Sequence, residues 1–185
     1  MRSFIAIELE GPVRESLSQL QEELKSCGAD VRWVKPENIH LTLKFLGNIS
    51  EETAGSIVSV LEKCCTGVSA FDIEVSGVGV FPDTKSPRVL WAGISGDGTL
   101  RELQQKIEDG TASLGFKREN RKFVPHLTLG RFRSSGGKKI LADKLEKHKD
   151  SSFGAVKVGS VVLMKSDLGP GGATYTRIAE IPLQG

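Results

Sequence analysis

The sequence predicts an α+β fold of two lobes related by a pseudo-twofold axis. Three observations carry this. A strand–helix–strand–helix order occurs twice. A shared tetrapeptide, His40-Leu41-Thr42-Leu43 and His126-Leu127-Thr128-Leu129, falls on the second strand of each copy. The segments outside the copies alternate with period two or flank a glycine-rich turn, the pattern of hairpin-linked antiparallel strands. Phe4 and Val89 lie 85 positions apart, His40 and His126 86, and Gly28 and Gly115 87, so the two copies keep one spacing. That period is too long for a solenoid repeat, and 185 residues fit one domain folded as two lobes.

The elements run in order. Phe4 to Leu9 is short and apolar, as a buried strand is. Val13, Leu17, Leu20, Leu24 and Cys27 recur at spacings of three and four, one stripe of a helix that Gly28 is placed to end. Asn38 to Leu46 reads as the first motif strand. Ser50 can cap the next helix, with Glu51 and Glu52 near the positive end of its dipole and Ala54, Ile57, Val58 and Leu61 facing inward. Phe71 to Val75 alternates as a strand. The second copy opens with the strand Val89 to Ile94. Asp97 can cap a helix carrying Leu100, Leu103, Ile107 and Leu114, stopped by Gly115 and weakened by Gly110. Val124 to Arg131 is the second motif strand. Lys138 to His148 is a charged helix with Ile140, Leu141 and Leu145 inward. Ala155 to Met164 and Thr174 to Ile181 read as strands joined by a turn at Gly169-Pro170-Gly171-Gly172. That turn lacks the Lys-Ser/Thr ending and the helix entry of a Walker loop.

Composition sets outer bounds. A hydrophobic fraction of 38% and a mean hydropathy of −0.15 predict a packed fold and argue against disorder. A net charge of +2 does not by itself mark a nucleic-acid binder. Cys27, Cys64 and Cys65 are odd in number and show no disulfide or zinc spacing, so reduced thiols and a cytoplasmic location are expected. The first ten residues contain Glu8 and Glu10 and no apolar run of signal or membrane length, so no membrane association is expected.

The paired tetrapeptides carry the chemistry. In a strand, each His and Thr share one face and the leucines point to the other. The leucines then enter the core, the His–Thr faces line a cleft, and the pseudo-twofold axis sets the two imidazoles opposite one another. Two histidines suit phosphodiester hydrolysis. A neutral imidazole takes a proton from attacking water, and an imidazolium gives one to the departing ribose oxygen. Near neutral pH both forms are accessible, since histidine ordinarily titrates near ~6.5. Thr42 and Thr128 can donate to phosphate oxygens. No metal or other cofactor is expected: two histidines 86 positions apart supply too few ligands, and Glu37, which precedes His40, has no counterpart before His126. The third histidine, His148, lies in a charged tract and reads as solvated surface.

Cations concentrate around the second motif: Lys117, Arg118, Arg121, Lys122, Arg131, Arg133, Lys138 and Lys139, with Glu119 the only acid among them. They read either as a phosphate-tracking patch or as ordinary basic surface. Strict alternation would aim Arg131 away from His126, but Gly130 can permit a bulge that re-aims it, which makes Arg131 a candidate phosphate ligand. Lys44 has the parity to face the cleft from the first motif and is a second candidate. Phe45 offers a base-stacking face or a core side chain.

With these residues in place, the chain resembles the RNA 2′,3′-cyclic phosphodiesterase family, also called 2′-5′ RNA ligases, within the two-histidine phosphoesterases. The resemblance rests on the paired His-x-Thr-Leu motifs, the Phe4-Ile5-Ala6-Ile7 start, Pro87-Arg88-Val89-Leu90-Trp91, and Leu129-Gly130-Arg131, and it covers nearly the whole chain. It implies two antiparallel sheets around a central cleft with helices outside. It implies that His40 donates the proton to the leaving group, that His126 accepts one from water, and that Thr42, Thr128 and Arg131 hold the phosphate. It implies an RNA substrate with a 2′,3′-cyclic phosphate end, hydrolysed without metal to a 2′-phosphomonoester. A monomer acting on RNA ends, tRNA fragments included, is expected. The alternatives are a 2′-5′ RNA ligase, a phosphodiesterase acting on a small cyclic nucleotide or nucleotide sugar, and a non-catalytic module that binds RNA ends.

Overall fold

A computed structural model of the chain describes residues 1–185. The first copy comprises β1 (Arg2–Glu8), α1 (Pro12–Lys25), the short β2 (Val31–Trp33), β3 (His40–Asn48) and α2 (Glu51–Cys65). After β4 (Phe71–Phe81), the second copy comprises β5 (Val89–Gly96), α3 (Thr99–Ala112), β6 (His126–Phe132) and α4 (Lys138–His148). The chain ends in β7 (Ser152–Val158), β8 (Ser160–Gly169) and β9 (Gly172–Pro182). No helix is long and apolar enough to cross a membrane.

The fold is α+β with the expected pseudo-twofold symmetry. The strand order β7-β4-β5-β6-β3-β1-β8-β9 is a palindrome of the duplication, with β2 added beside β6. One antiparallel half, β7-β4-β5-β6, meets the other, β3-β1-β8-β9, through the single registered pair Leu41 and Leu127. Both motifs therefore lie at the seam. The halves are also exchanged. The strand after α2 joins the half that holds the second motif, and β8, after α4, joins the half that holds the first. The helices cross over likewise: α1 reaches β7 and β6, whereas α3 packs on β3. Neither copy encloses a core alone, and one apolar cluster of 37 buried residues spans both.

The helix signals hold with local corrections. Ser50 caps α2, its hydroxyl accepting from Thr53 N at 3.1 Å. Asp97 sits one residue ahead of the α3 cap, which is Gly98, and its carboxylate instead accepts from Thr99 N at 3.0 Å. Leu114 lies beyond the helix end and is exposed. Gly110 has a packing reason: a Cβ there would stand 2.6 Å from Val60 Cγ1 and 3.2 Å from Cys64 Sγ, so its absence lets α2 and α3 approach. Ile140 points outward, while Leu141 and Leu145 are buried.

The segment Ala155 to Met164, read as one strand, is two. The chain breaks at Gly159, so that β7 pairs with β4 on one edge and β8 pairs with β1 in the other half. Periodicity cannot show that break, because both strands are apolar and only their partners differ. Asn38 ends a 3₁₀ turn over Pro36–Asn38, and β3 starts at His40.

Candidate active site

The two motif strands share one burial sequence. From His40 to Phe45, and again from His126 to Arg131, the residues run half-buried, buried, half-buried, buried, buried, exposed. The first four obey strand alternation: Leu41, Leu43, Leu127 and Leu129 enter the core, and His40, Thr42, His126 and Thr128 share the opposite face. The antiparallel register through Leu41 and Leu127 sets His40 towards Thr128 and Thr42 towards His126.

Alternation then breaks at the same place in both strands. Ile5 pairs with Lys44 but Ala6 with Thr42, so Leu43 is skipped. Leu90 pairs with Gly130 but Trp91 with Thr128, so Leu129 is skipped. Each is a bulge that turns the next side chain over. The expected bulge at Gly130 is present, and Arg131 is exposed on the His–Thr side of the turn-over. A Cβ at Gly130 would stand 2.5 Å from Val31 Cγ1, so glycine also admits β2 to this edge.

The same kind of bulge overturns the reading of Lys44. Lys44 is 3% exposed and points into the core, where Nζ donates to Glu108 Oε2 at 2.9 Å and to the Lys117 carbonyl at 2.8 Å. It is a buried ion-pair residue and does not reach the cleft. Phe45 takes the outward place in its stead and is 63% exposed, at the position that Arg131 holds in the other strand. A side chain so exposed is not a core residue, and its ring lies 6.3 Å from that of Phe4.

Both histidines are held alike. His40 Nδ1 donates to the Asn38 carbonyl at 2.7 Å, and His126 Nδ1 donates to the Val124 carbonyl at 2.8 Å. A carbonyl only accepts, so the proton of each neutral ring sits on Nδ1 and Nε2 is the exchangeable nitrogen. His40 Nε2 lies 2.9 Å from Thr42 Oγ1, whose hydroxyl donates to it. Burial pushes the His40 imidazolium to a lower pKa than usual, and the Asn38 carbonyl and the Glu8 carboxylate pull it partly back. Glu8 is itself paired with Arg177.

Aromatic side chains outside the two motifs, which the sequence did not single out, surround the pair. Phe4 stacks on His40 with centroids 4.7 Å apart, and Tyr175 meets the same ring edge-on at 5.1 Å. Phe81 meets His126 edge-on at 5.1 Å. Phe4, Ala6, Val162 and Met164 form a second, smaller apolar cluster on this face, with Tyr175 against it. The available signal was parity: Phe4 and Ala6 alternate with Ile5 and Ile7, yet all four are apolar, which marks a strand buried on both faces. Burial raises the Tyr175 phenol pKa while the charges of Arg131 and Arg2 lower it, so Arg131 acts on a residue of the opposite half.

His148 is not free surface. Its Nε2 lies 3.0 Å from Glu23 Oε1 and its Nδ1 3.2 Å from Ser151 Oγ, which ties α4 to α1 and lowers the Glu23 pKa. Of the basic tract, Arg118 pairs with Asp109, and Lys138 donates to the Lys85 carbonyl at 3.0 Å.

Comparisons with known proteins agree with this fold. The RNA 2′,3′-cyclic phosphodiesterase of Methanothermobacter thermautotrophicus is 36% identical over 176 residues, 95% of each chain. That of Aquifex aeolicus is 35% identical over 189 aligned positions, covering 100% of this chain and 98% of the relative. A crystal structure from Thermus thermophilus superposes with a TM-score of 0.85 at 28% identity, covering 100% and 99% of the two chains. Escherichia coli LigT complexed with 3′-AMP superposes with a TM-score of 0.81 at 25% identity, covering 100% and 98%. Residues 7–91 and 94–175 match the LigT-like phosphoesterases, a span that contains both histidine strands and both bulges. The duplicated sheet and the sequence match lead to one conclusion: this chain belongs to the LigT-like phosphoesterase family.

Proposed function

We propose that this protein hydrolyses 2′,3′-cyclic phosphate ends of RNA to 2′-phosphomonoesters by metal-independent acid–base catalysis. The observation that carries the proposal is the matched pair of imidazoles, each with Nδ1 fixed by a main-chain carbonyl and Nε2 left to exchange a proton on a shared sheet face. The names of the relatives supply the substrate class. Water attacks phosphorus and gives a proton to His126 Nε2. The bond from phosphorus to O3′ breaks, and O3′ takes the proton of His40 Nε2. The product carries a 2′-phosphate and a 3′-hydroxyl, and a proton exchange with solvent resets both rings. Thr42 and Thr128 donate to the phosphate oxygens, with Thr42 exchanging its His40 bond for one to substrate. Arg131 neutralises the phosphate, and Phe45 offers its exposed face to a base.

The metal-free course rests on the donor set: no three His, Cys, Asp or Glu side chains converge to hold an ion. Turnover of an oligonucleotide ending in a 2′,3′-cyclic phosphate is expected to be unchanged in chelator, with a 2′-phosphate mapped in the product. Loss of turnover restored by a divalent cation would overturn the metal-free course. Accumulation of a 2′-5′ linked product under the same conditions would favour ligation. The proposal extends to a cytoplasmic monomer acting on RNA fragments, those of tRNA included. Three buried free thiols, Cys27, Cys64 and Cys65, suit a reducing compartment.

Arg131→Ala is expected to cost about 2–4 kcal/mol in kcat/KM, the loss of one group that stabilises developing negative charge. Arg131→Lys should recover part of that, because an ammonium keeps the charge but not the planar two-point contact. Steady-state kinetics of both variants decide it, and wild-type behaviour of Arg131→Ala would remove the guanidinium from the site.

A further inference from the structure

Each of the two bulges is held from below by a helix. A bulge leaves one residue outside the regular ladder, and here that residue is Leu43 in β3 and Leu129 in β6. In each case a buried glutamine from the crossed-over helix reaches its carbonyl. Gln21 of α1 is 1% exposed, and its Nε2 donates to Leu129 O at 3.0 Å and to Val34 O at 2.8 Å. Gln104 of α3 is 6% exposed, and its Nε2 donates to Leu43 O at 3.3 Å. A long polar side chain is rarely so buried without a specific partner. Here both reach the carbonyl of the skipped leucine, although Leu129 O also accepts from Val34 N at 2.9 Å, Gln104 Nε2 also reaches Glu108 Oε1 at 3.5 Å, and the two glutamines do not occupy equivalent places in their helices. Gln21 is the tenth residue of α1 and Gln104 the sixth of α3. The same contact is thus reached from two different helix positions, so it is not a by-product of the duplicated helix register.

Beyond each bulge the strand presents an exposed side chain on the His–Thr face: Arg131 after Leu129 and Gly130, and Phe45 after Leu43 and Lys44. Without the bulge, alternation would return Arg131 and Phe45 to the leucine side. We propose that Gln21 and Gln104 are positioning residues that lock the two bulges, so that Gln21 sets Arg131 on the phosphate and Gln104 sets Phe45 on the base. The inference rests on the proposed phosphodiesterase reading. It assigns the two glutamines different consequences. Gln21 serves the group that meets transition-state charge and acts on kcat. Gln104 serves a stacking face that meets substrate and product alike and acts on KM.

The test is a pair of double-mutant cycles on one oligonucleotide ending in a 2′,3′-cyclic phosphate. Gln21→Met is expected to lower kcat/KM about tenfold, and Gln21→Met with Arg131→Ala to match Arg131→Ala within about twofold, because the guanidinium it positions is gone. Gln21→Met with Phe45→Ala should instead multiply the two separate losses. Gln104→Met should raise KM with kcat nearly kept, and should add nothing to Phe45→Ala. Losses that multiply in every combination, as general destabilisation would produce, overturn the inference, and so does wild-type kinetics in Gln21→Met. If Gln21→Met is unfolded at the assay temperature by circular dichroism, Gln21→Asn, which keeps the amide one methylene short, is put through the same cycle with the same criterion. A wild-type protein inert on this substrate defeats the phosphodiesterase reading. An active wild type with uncoupled glutamines defeats the positioning role alone.

Discussion

Replacing either His40 or His126 by alanine is expected to lower kcat on a 2′,3′-cyclic phosphate end by at least about a hundredfold, roughly 2.7 kcal/mol of barrier, with the fold retained. Both imidazoles lie on the face of the sheet opposite the leucine core, and each makes its ring–carbonyl bond two residues back along its own chain. Removing a ring therefore takes away a proton carrier without opening the main core. The roles differ in pH dependence. As the acid, His40 must be protonated to act, and burial lowers its pKa in the free protein. The alkaline limb of kcat/KM should then lie at or below the usual histidine range near ~6.5, and bound phosphate, by its negative charge, should move the same limb upward in kcat. His126→Ala should abolish the acid limb and His40→Ala the alkaline one. The opposite assignment of limbs would exchange the two roles, and a single variant with near-normal turnover would remove that histidine from the reaction. The same lowered pKa has a stability consequence. Below about pH 6.5 the unfolded chain binds a proton at His40 before the folded one does, so this site's stability is fully present above that pH and declines as pH falls towards the folded value.

Lys44→Ala is expected to destabilise the protein by about 3–5 kcal/mol, the largest single stability loss anticipated for a substitution outside the main apolar core. The side chains of Lys44 and Glu108 are 2% and 8% exposed. With Lys44 removed, Glu108 keeps only the Glu119 amide at 3.3 Å and the Gln104 amide at 3.5 Å to offset a charge held out of water. At roughly 2–4 °C per kcal/mol for a chain of this size, the thermal midpoint should fall by about 6–20 °C. The double variant Lys44→Met with Glu108→Leu should recover most of that loss, because the cost comes from the stranded carboxylate and a well-packed apolar pair of similar volume avoids it. Thermal melts of the single and double variants at neutral pH decide the matter. A single variant that melts within about 2 °C of wild type would show that water reaches Glu108 and that the pair is not sealed.

What the sequence determined by itself is whatever repeats over short distances. Period-two alternation placed His40 with Thr42 and His126 with Thr128 on one face. Three-and-four spacing marked α1 through Val13, Leu17, Leu20 and Leu24. The near-constant offset between Phe4 and Val89, His40 and His126, and Gly28 and Gly115 disclosed the duplication, because the first helices, α1 and α3, both run 14 residues and each motif strand follows at nearly the same distance. Gly130 pointed to the bulge in the second motif strand, although the matching bulge in the first carries Lys44 at that place. The tertiary structure decided what depends on contacts between distant positions. Lys44 has the parity of a cleft residue, and only the skipped pairing at Leu43 turns it into the core and Phe45 out of it. A lysine at a bulge carries no local mark, since its partner Glu108 lies 64 positions away. The division at Gly159 into two strands on different halves, the tie between His148 and Glu23 across 125 positions, and the reach of Gln21 to Leu129 across 108 arise in the same way. Local periodicity reports which face a side chain would take in a regular element. Where two copies exchange helices and strands across a seam, the partners that break that regularity belong to the other copy, and only the assembled fold brings them within hydrogen-bonding distance.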